Sequence, residues 1–296
     1  MHFSIYQESR RGARKSNQDR VAYCYSRETL LMLVADGMGG HPHGELAARI
    51  AVHSVIEAFR REAKPRLSDP AAFLHRALAG AHQAIIRSAE DEGLPEAPRT
   101  TCVACVVQDN AACWAHAGDS RLYHLRKGAI LAQTRDHSLV QQLIDSGRIR
   151  EQAAAAHPQR NRVYSCLGSA RPPRIDASGT VRLLAGDTLL LCTDGLWNPL
   201  SARTIAGTIA KAGILQAVPR LLDDAQRRAG RECDNLSAVA VTWERHSESA
   251  PAPARESGVE AEKRQLAGNE IERANAHSRS EMEGQTNDEV SPPRAR

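Results

Sequence analysis

No stretch of this 296-residue chain approaches the ~20 consecutive apolar residues that a membrane-spanning helix needs, so a membrane partner is not expected. The opening residues, MHFSIYQESRRG, lack the apolar central region of a secretory signal, and a cytoplasmic protein is the expectation. There is no long basic block either. The 39 Lys and Arg set against 35 Asp and Glu leave a net charge of +4, carried by scattered arginines, so nucleic acid is not an expected partner. Internal repeats are absent. No second cysteine pair or cysteine–histidine tract accompanies Cys102-x-x-Cys105, which excludes a zinc set of the usual kinds. Positions three apart on a strand point to opposite faces, so those two thiols are not expected to share a metal or a disulfide. The seven cysteines read as reduced, small core residues. Residues 246–296 contain no aromatic residue and few aliphatics. Such a segment cannot bury enough apolar surface to offset chain entropy, and a disordered polar tail is expected there, with a short helix conceivable around 259–272.

What the remaining 1–245 does contain is a recurrent construction. An apolar run ends in a carboxylate and then glycine at LLMLVADGMGG (Asp36) and at TLLLCTDG (Asp194), and more loosely at CWAHAGDS (Asp119). The reverse order, carboxylate then apolar run, occurs at Asp19 (QDRVAYCY) and Asp234 (CDNLSAVAVTW). Short apolar runs bounded by turn residues read as buried strands. In antiparallel sheets the end of one strand lies beside the start of its neighbour, so these aspartates can gather on one sheet edge. Any single one of them reads as a turn residue, because Asp-Gly is a common turn dipeptide. Five at run termini point instead to a ring of carboxylates that only cations could neutralise.

The order of elements is strands, two helices, strands, two helices and a strand. Helical spacing runs over 44–64, and a second helix opens at Asp69-Pro70 with a cap followed by proline. Strands are expected at about 101–108, 111–117, 121–126 and 129–133, then near 179–184 and 187–193. Ser201 caps a further helix, 214–229 forms another, and 236–243 is the last strand. Residues 137–165 interrupt this rhythm as a polar, partly helical insertion lying over a site. Runs of strands without strict alternation with helices argue for an α+β fold with antiparallel sheets.

Carboxylate-rich ligation selects Mg²⁺ or Mn²⁺. Two such ions can share a carboxylate and activate a water for in-line attack on a phosphate ester. Asp36 is the best candidate to bridge them, with the backbone carbonyl of Gly37 beside it. That chemistry also needs a cation for the phosphate oxygens, and Arg14, in the loop ahead of Asp19, could supply a planar guanidinium.

With these residues the chain resembles the metal-dependent protein phosphatases of the PPM family (protein phosphatase type 2C) in its bacterial form. The matching segments are R-x-x-N-Q-D (14–19), V-A-D-G-M-G-G-H (34–41), T-T (100–101), G-D-S-R (118–121), D-H-S (136–138), H-P (157–158), L-G (167–168), G-D-T-L-L-L-C-T-D-G-L (186–196) and D-N (234–235). The resemblance implies an α-β-β-α sandwich of two antiparallel sheets flanked by helical pairs, with the metal site at one edge. It also implies a phosphatase domain over 1–245 ahead of the tail. The implied activity is hydrolysis of phosphoserine and phosphothreonine in proteins by direct water attack, opposing a bacterial Ser/Thr kinase, in a monomer. By position, Asp36, Asp194 and Asp234 would bind a first metal. Asp36 and the Gly37 carbonyl would bind a second, supported by Asp19 through water. Asp119 with Asp194 would hold a third, and Arg14 would bind the substrate phosphate. Residues 138–165 correspond to the family's variable flap.

Two positions depart from the animal members. Met38 stands where they carry a histidine taken as general acid, so His41 or a metal-bound water is expected to protonate the leaving oxygen. Gln18 replaces a glutamate, which should weaken the second metal site. The competing readings are a phosphatase of anti-anti-sigma factors and a non-catalytic phosphoprotein-binding scaffold. The first usually carries sensor modules, and the second usually lacks one or more of the metal aspartates retained here.

Overall fold

The computed structural model describes residues 1–38 and 43–245, so the expected tail and its helix lie outside the described residues. Three strands, β1 (His2–Arg10), β2 (Asp19–Tyr25) and β3 (Thr29–Asp36), lead into the long helices α1 (Gly44–Glu62) and α2 (Pro70–Asp91). Strands β4 (Cys102–Gln108), β5 (Ala111–Ala117), β6 (Arg121–Arg126) and β7 (Ala129–Gln133) follow, then the short helix α3 (Leu139–Asp145) and a 3₁₀ turn at Glu151–Ala156. The remainder runs β8 (Asp176–Ala177), β9 (Val181–Arg182), β10 (Thr188–Cys192), α4 (Asp194–Trp197), α5 (Ala202–Ala212), α6 (Ile214–Ala229) and β11 (Leu236–Arg245). One sheet has the order β1-β11-β10-β6-β7. The other has β2-β3-β4-β5-β8, with β9 also on β5.

Side-chain alternation along the strands builds three apolar layers. On β3, Leu31, Leu33 and Ala35 pack toward α1 and α2, while Leu30, Met32 and Val34 face the second sheet. On β11, Ala238 and Ala240 pack with α6 residues such as Leu221 and Leu222, while Val239, Val241 and Trp243 fill the space between the sheets. Strands buried on both faces read as continuous apolar runs, and here two helical layers cover the outer faces. The result is an α-β-β-α sandwich, as the family resemblance implies. Cys102 lies in the helix-facing layer and Cys105 in the layer between the sheets, and all seven cysteines are free and buried. Asp69 caps α2 by accepting the Ala72 N–H at 2.9 Å, and Ser201 caps α5 by accepting that of Thr204 at 3.2 Å.

Within the strand expected over 179–184 only Val181–Arg182 pairs, as β9, and β8 (Asp176–Ala177) precedes it on the same partner strand. Ser178 exchanges both its backbone N–H and its hydroxyl with Trp114, donating to the Trp114 carbonyl at 2.8 Å and accepting the Trp114 N–H at 2.9 Å. A side chain thus takes a ladder position, and the strand splits around it. The 188–192 strand also ends one residue early, because Thr193 precedes a helical turn that Asp194 opens.

At the start of β10, Asp187 is buried against β6. Arg126 forks onto it at 2.6 and 2.7 Å, His124 Nε2 lies 2.9 Å away, and the Leu184 N–H donates at 2.9 Å. Burial raises its carboxyl pKa, but Arg126, the Leu184 N–H and His124 outweigh that and hold it down at about 2. A depressed carboxylate contributes stability that is present above the unfolded value of about 4 and is lost as pH falls through the folded one. Asp187→Asn is expected to cost about 1–3 kcal/mol at neutral pH, since the buried His124 and the part-exposed Arg126 lose the charge they face. It should also flatten the acid limb of the stability curve below about pH 4. Urea midpoints across pH measure both effects, and identical acid limbs for the two proteins would count against this assignment.

Candidate metal centre

The strand ends deliver the carboxylates as their runs predict. Asp19 opens β2 and Asp36 closes β3, directly opposite one another in antiparallel register. Asp119 follows β5, Asp194 follows β10, and Asp234 precedes β11, so both sheets contribute. Asp36, Asp119, Asp194 and Asp234 line one open cleft of about 690 Å³ together with Arg14, Gly37 and Met38. Asp19 sits fully buried beneath it, where Thr193 Oγ1 donates to its Oδ2 at 2.9 Å. Its other oxygen, Oδ1, is buried without a hydrogen-bond partner. His41 lies outside the described residues.

The electrostatics are those of like charges held together. Burial, followed by Asp19, Asp194, Asp119 and Asp234, drives the Asp36 carboxyl well above the usual range. Burial also raises Asp19 to about 7, against the pull of Ser237 and Thr193. Burial and Asp234 raise Asp194 to about 6, against hydrogen bonding to Asp36 and the charge of Arg14. Asp119 is pushed up by burial, Asp194 and Asp136. Arg14 forks onto Asp234, with Nε 2.8 Å from Oδ1 and Nη2 2.7 Å from Oδ2. Among the described residues no three His, Cys, Asp or Glu side chains already close up as a metal cage. The donors are carboxylate and carbonyl oxygens, and the orphaned Asp19 oxygen asks for a further partner. This set fits hard divalent cations such as Mg²⁺ or Mn²⁺.

Backbone contacts fix the frame. The Asp36 carbonyl accepts from Thr101 N at 2.9 Å and Thr100 Oγ1 at 2.8 Å. Gly37 admits no side chain, because a Cβ there would lie 2.4 Å from the Gly44 carbonyl oxygen. Asn235 joins the Arg14 loop to β11. It accepts the Gln18 N–H at 2.8 Å and donates to the carbonyls of Arg11 and Ser16 at 2.8 and 2.9 Å. Thr100, Thr101 and Asn235 belong to sequence motifs recognised above, but their spacing alone did not reveal these duties.

The 138–165 segment does lie over the site. Asn161 and Val163 line the cleft, and an adjoining hollow of about 460 Å³ shares Asp119, Asn161 and Asp194 while running between α3 and Trp197. Trp197 Nε1 donates to the Asp119 carbonyl at 3.0 Å, and the Arg121 guanidinium stacks 3.5 Å over its ring.

A family model described as protein phosphatase 2C matches residues 6–230. The chain is 34% identical over 234 residues to the serine/threonine protein phosphatase PstP of Mycobacterium tuberculosis, covering 79% of this chain and 43% of that protein. It thus spans less than half the length of that curated relative. Protein phosphatase PhpP of Streptococcus pneumoniae is 35% identical over 193 residues, 65% of this chain and 78% of its own length. The fold also matches a solved structure of the catalytic domain of serine threonine protein phosphatase PstP in complex with two manganese ions. There the TM-score is 0.69 at 31% identity, with 82% of this chain and 99% of that one covered.

Proposed function

The chain belongs to the protein phosphatase 2C family, and on that premise we propose that it hydrolyses phosphoserine and phosphothreonine in proteins. The observation that carries this reading is the gathering of four carboxylates from both sheets, beside a guanidinium, in one open cleft. Asp36, Asp194 and Asp234 would hold one divalent cation. Asp36 with the Gly37 carbonyl would hold a second, supported by Asp19, and Asp119 with Asp194 a third. When bound, such cations neutralise phosphoryl oxygens and acidify the water that attacks phosphorus.

The chain's own residues do the positioning. Arg14 offers a bidentate fork of the kind suited to two phosphate oxygens, and its side chain is 55% exposed at the mouth of the cleft. Its present partner, Asp234, is a proposed metal ligand, so Arg14 would turn from that carboxylate to the substrate phosphate if Asp234 held a cation. Asn235 keeps that loop seated, the Ala13 N–H donates to the Cys233 carbonyl at 3.0 Å, and Gly12 permits the close approach, since a Cβ there would lie 2.0 Å from the Asp234 carbonyl oxygen. Asn161 and Val163 of the overlying segment would meet the protein substrate. The finer expectations are a cytoplasmic monomer whose substrates are the products of a bacterial Ser/Thr kinase. No helix among the described residues is long and apolar enough to cross a membrane.

Phosphate release from a phosphothreonine peptide, with Mn²⁺, Mg²⁺ or EDTA, tests the reading. Activity should require the cation and vanish in EDTA. Arg14→Ala should lower kcat/KM by about a hundredfold, as expected for losing a fork that binds developing phosphate charge. Folded protein that binds phosphopeptide and releases no phosphate with either cation would favour the scaffold reading.

A further inference from the structure

Asp136, His137 and Ser138 form a run of three residues to which the proposed reaction assigns no task. Each reaches a different part of the site. The His137 N–H donates to the Gly118 carbonyl at 2.9 Å, and the Gly118 N–H donates back to His137 Nδ1 at 3.2 Å. One residue therefore grips both main-chain groups of the glycine that precedes Asp119. Asp136 grips the other side, forking onto Arg121, two residues beyond Asp119, at 2.9 and 2.8 Å. Asp119 thus hangs between two anchors that are neighbours in sequence.

The same run holds the segment over the cleft. The His137 carbonyl accepts the Tyr164 N–H at 2.8 Å, Ser138 caps α3 by accepting the Gln141 N–H at 3.2 Å, and Ser138 bridges to Val163. The His137 ring is buried at 1% exposure, stacked 4.6 Å from His116 and lying 5.6 Å from Tyr164, with Nε2 3.3 Å from Asp176 Oδ2. Gly118 has φ +114°, and a Cβ there would fall 2.5 Å from that of Thr101, so this turn has a backbone only glycine tolerates.

We propose that His137 is a positioning residue. Its Nδ1 acceptor holds the Gly118–Asp119 turn in the form that presents Asp119 to a divalent cation, and its main chain ties that turn to the 138–165 segment. The inference rests on the reading of Asp119 as a ligand. Burial and the neighbouring His116 push the His137 imidazole down to about 4, so the ring is neutral at pH 7 and Nδ1 keeps its lone pair for the Gly118 N–H. Groups that orient a metal ligand without touching the metal typically change metal affinity by about 10–100-fold when removed.

The test is Mn²⁺ binding to the full chain by titration calorimetry, read beside melting temperature. His137→Leu removes the acceptor. His137→Asn keeps one close to the Nδ1 position, and His137→Gln moves it toward Nε2. His137→Leu and His137→Gln should weaken the weakest Mn²⁺ step about tenfold or more and leave the tightest step unchanged, while His137→Asn stays within about threefold of the parent. If His137→Leu does not fold, the Asn and Gln pair carries the comparison. Lower melting temperatures with unchanged Mn²⁺ affinities would overturn the proposal, because His137 would then only support the fold. So would equal losses in Asn and Gln. A parent protein that binds no Mn²⁺ would overturn the metal centre itself, which separates that failure from this one.

Discussion

Asp36→Asn is expected to lower kcat/KM by about a thousandfold or more, on the order of 4 kcal/mol of lost transition-state stabilisation, while raising the melting temperature of the metal-free protein. The two effects have one origin. Asp36 faces Asp19 across the β2–β3 ladder and feels Asp194, Asp119 and Asp234 around the cleft, so its charge is costly until a cation arrives. Asparagine keeps the shape, and its amide can still donate a hydrogen bond toward Asp194, but it cannot supply the shared negative charge that two cations require. The rate with Mn²⁺ and a phosphothreonine peptide gives the first quantity, and calorimetric melting in EDTA gives the second. A misfolded variant would lose on both measures. Activity within tenfold of the parent would remove Asp36 from the reaction, and a lower melting temperature in EDTA would mean that its charge was not a burden.

Gly195→Ala should be nearly as damaging without touching any carboxylate. Gly195 follows Asp194, Asn235 follows Asp234, and the two backbones touch there. A Cβ on residue 195 would lie 2.0 Å from the Asn235 carbonyl oxygen and 3.0 Å from its carbon. Neither side can yield cheaply. Asp194 opens α4 and its carbonyl accepts the Asn198 N–H at 2.8 Å, while Asn235 is committed to Gln18, Arg11 and Ser16. A methyl group must therefore pry Asp194 and Asp234 apart. Overpacking of this kind costs about 3 kcal/mol, and a displacement of about 1 Å at a reacting centre can cost a hundredfold in rate. Urea midpoints and Mn²⁺ titration read the two consequences. Gly207→Ala in α5 is the control, because a Cβ there meets open space and should stabilise by several tenths of a kcal/mol. If Gly195→Ala behaved like that control, the contact would not govern the distance between the two ligand loops.

The strands and the carboxylate edge were legible in the sequence because both are local patterns, whereas the layering was implied by the family resemblance. Apolar runs such as LLMLVA mark strands buried on two faces, and an aspartate at the end of a run must lie at a sheet edge. The opposite orientations of Cys102 and Cys105 follow from the same period of two. Partnerships between distant segments were not legible. Nothing near Arg14 indicates that Asp234, 220 positions away, will hold it, nor does the sequence around Trp197 announce the Asp119 carbonyl. Asp194 reads as a turn residue because its glycine neighbour is the local signal, whereas it opens a helical turn once Thr193 is bonded to Ser237. The split between β8 and β9 was hidden for a related reason: a serine hydroxyl took the place of a backbone group, and only a partner strand makes that choice favourable.

The register of β1 against β11, with Ile5 opposite Val241, has a consequence in time. Strand β1 precedes every other element described, and its partner follows them all. Roughly 200 residues separate Asp36 from Asp234, which at ~5–20 residues per second is about 10–40 s of translation. Until Asp234 has been made, one of the carboxylates lining the cleft is missing. Strand β11 lies between β1 and β10, so its addition completes that sheet and sets Asp234 beside Asp194. Under the proposed function, a nascent chain that lacks β11 lacks one of the cation-binding carboxylates, so activity is expected only after this strand has joined its sheet.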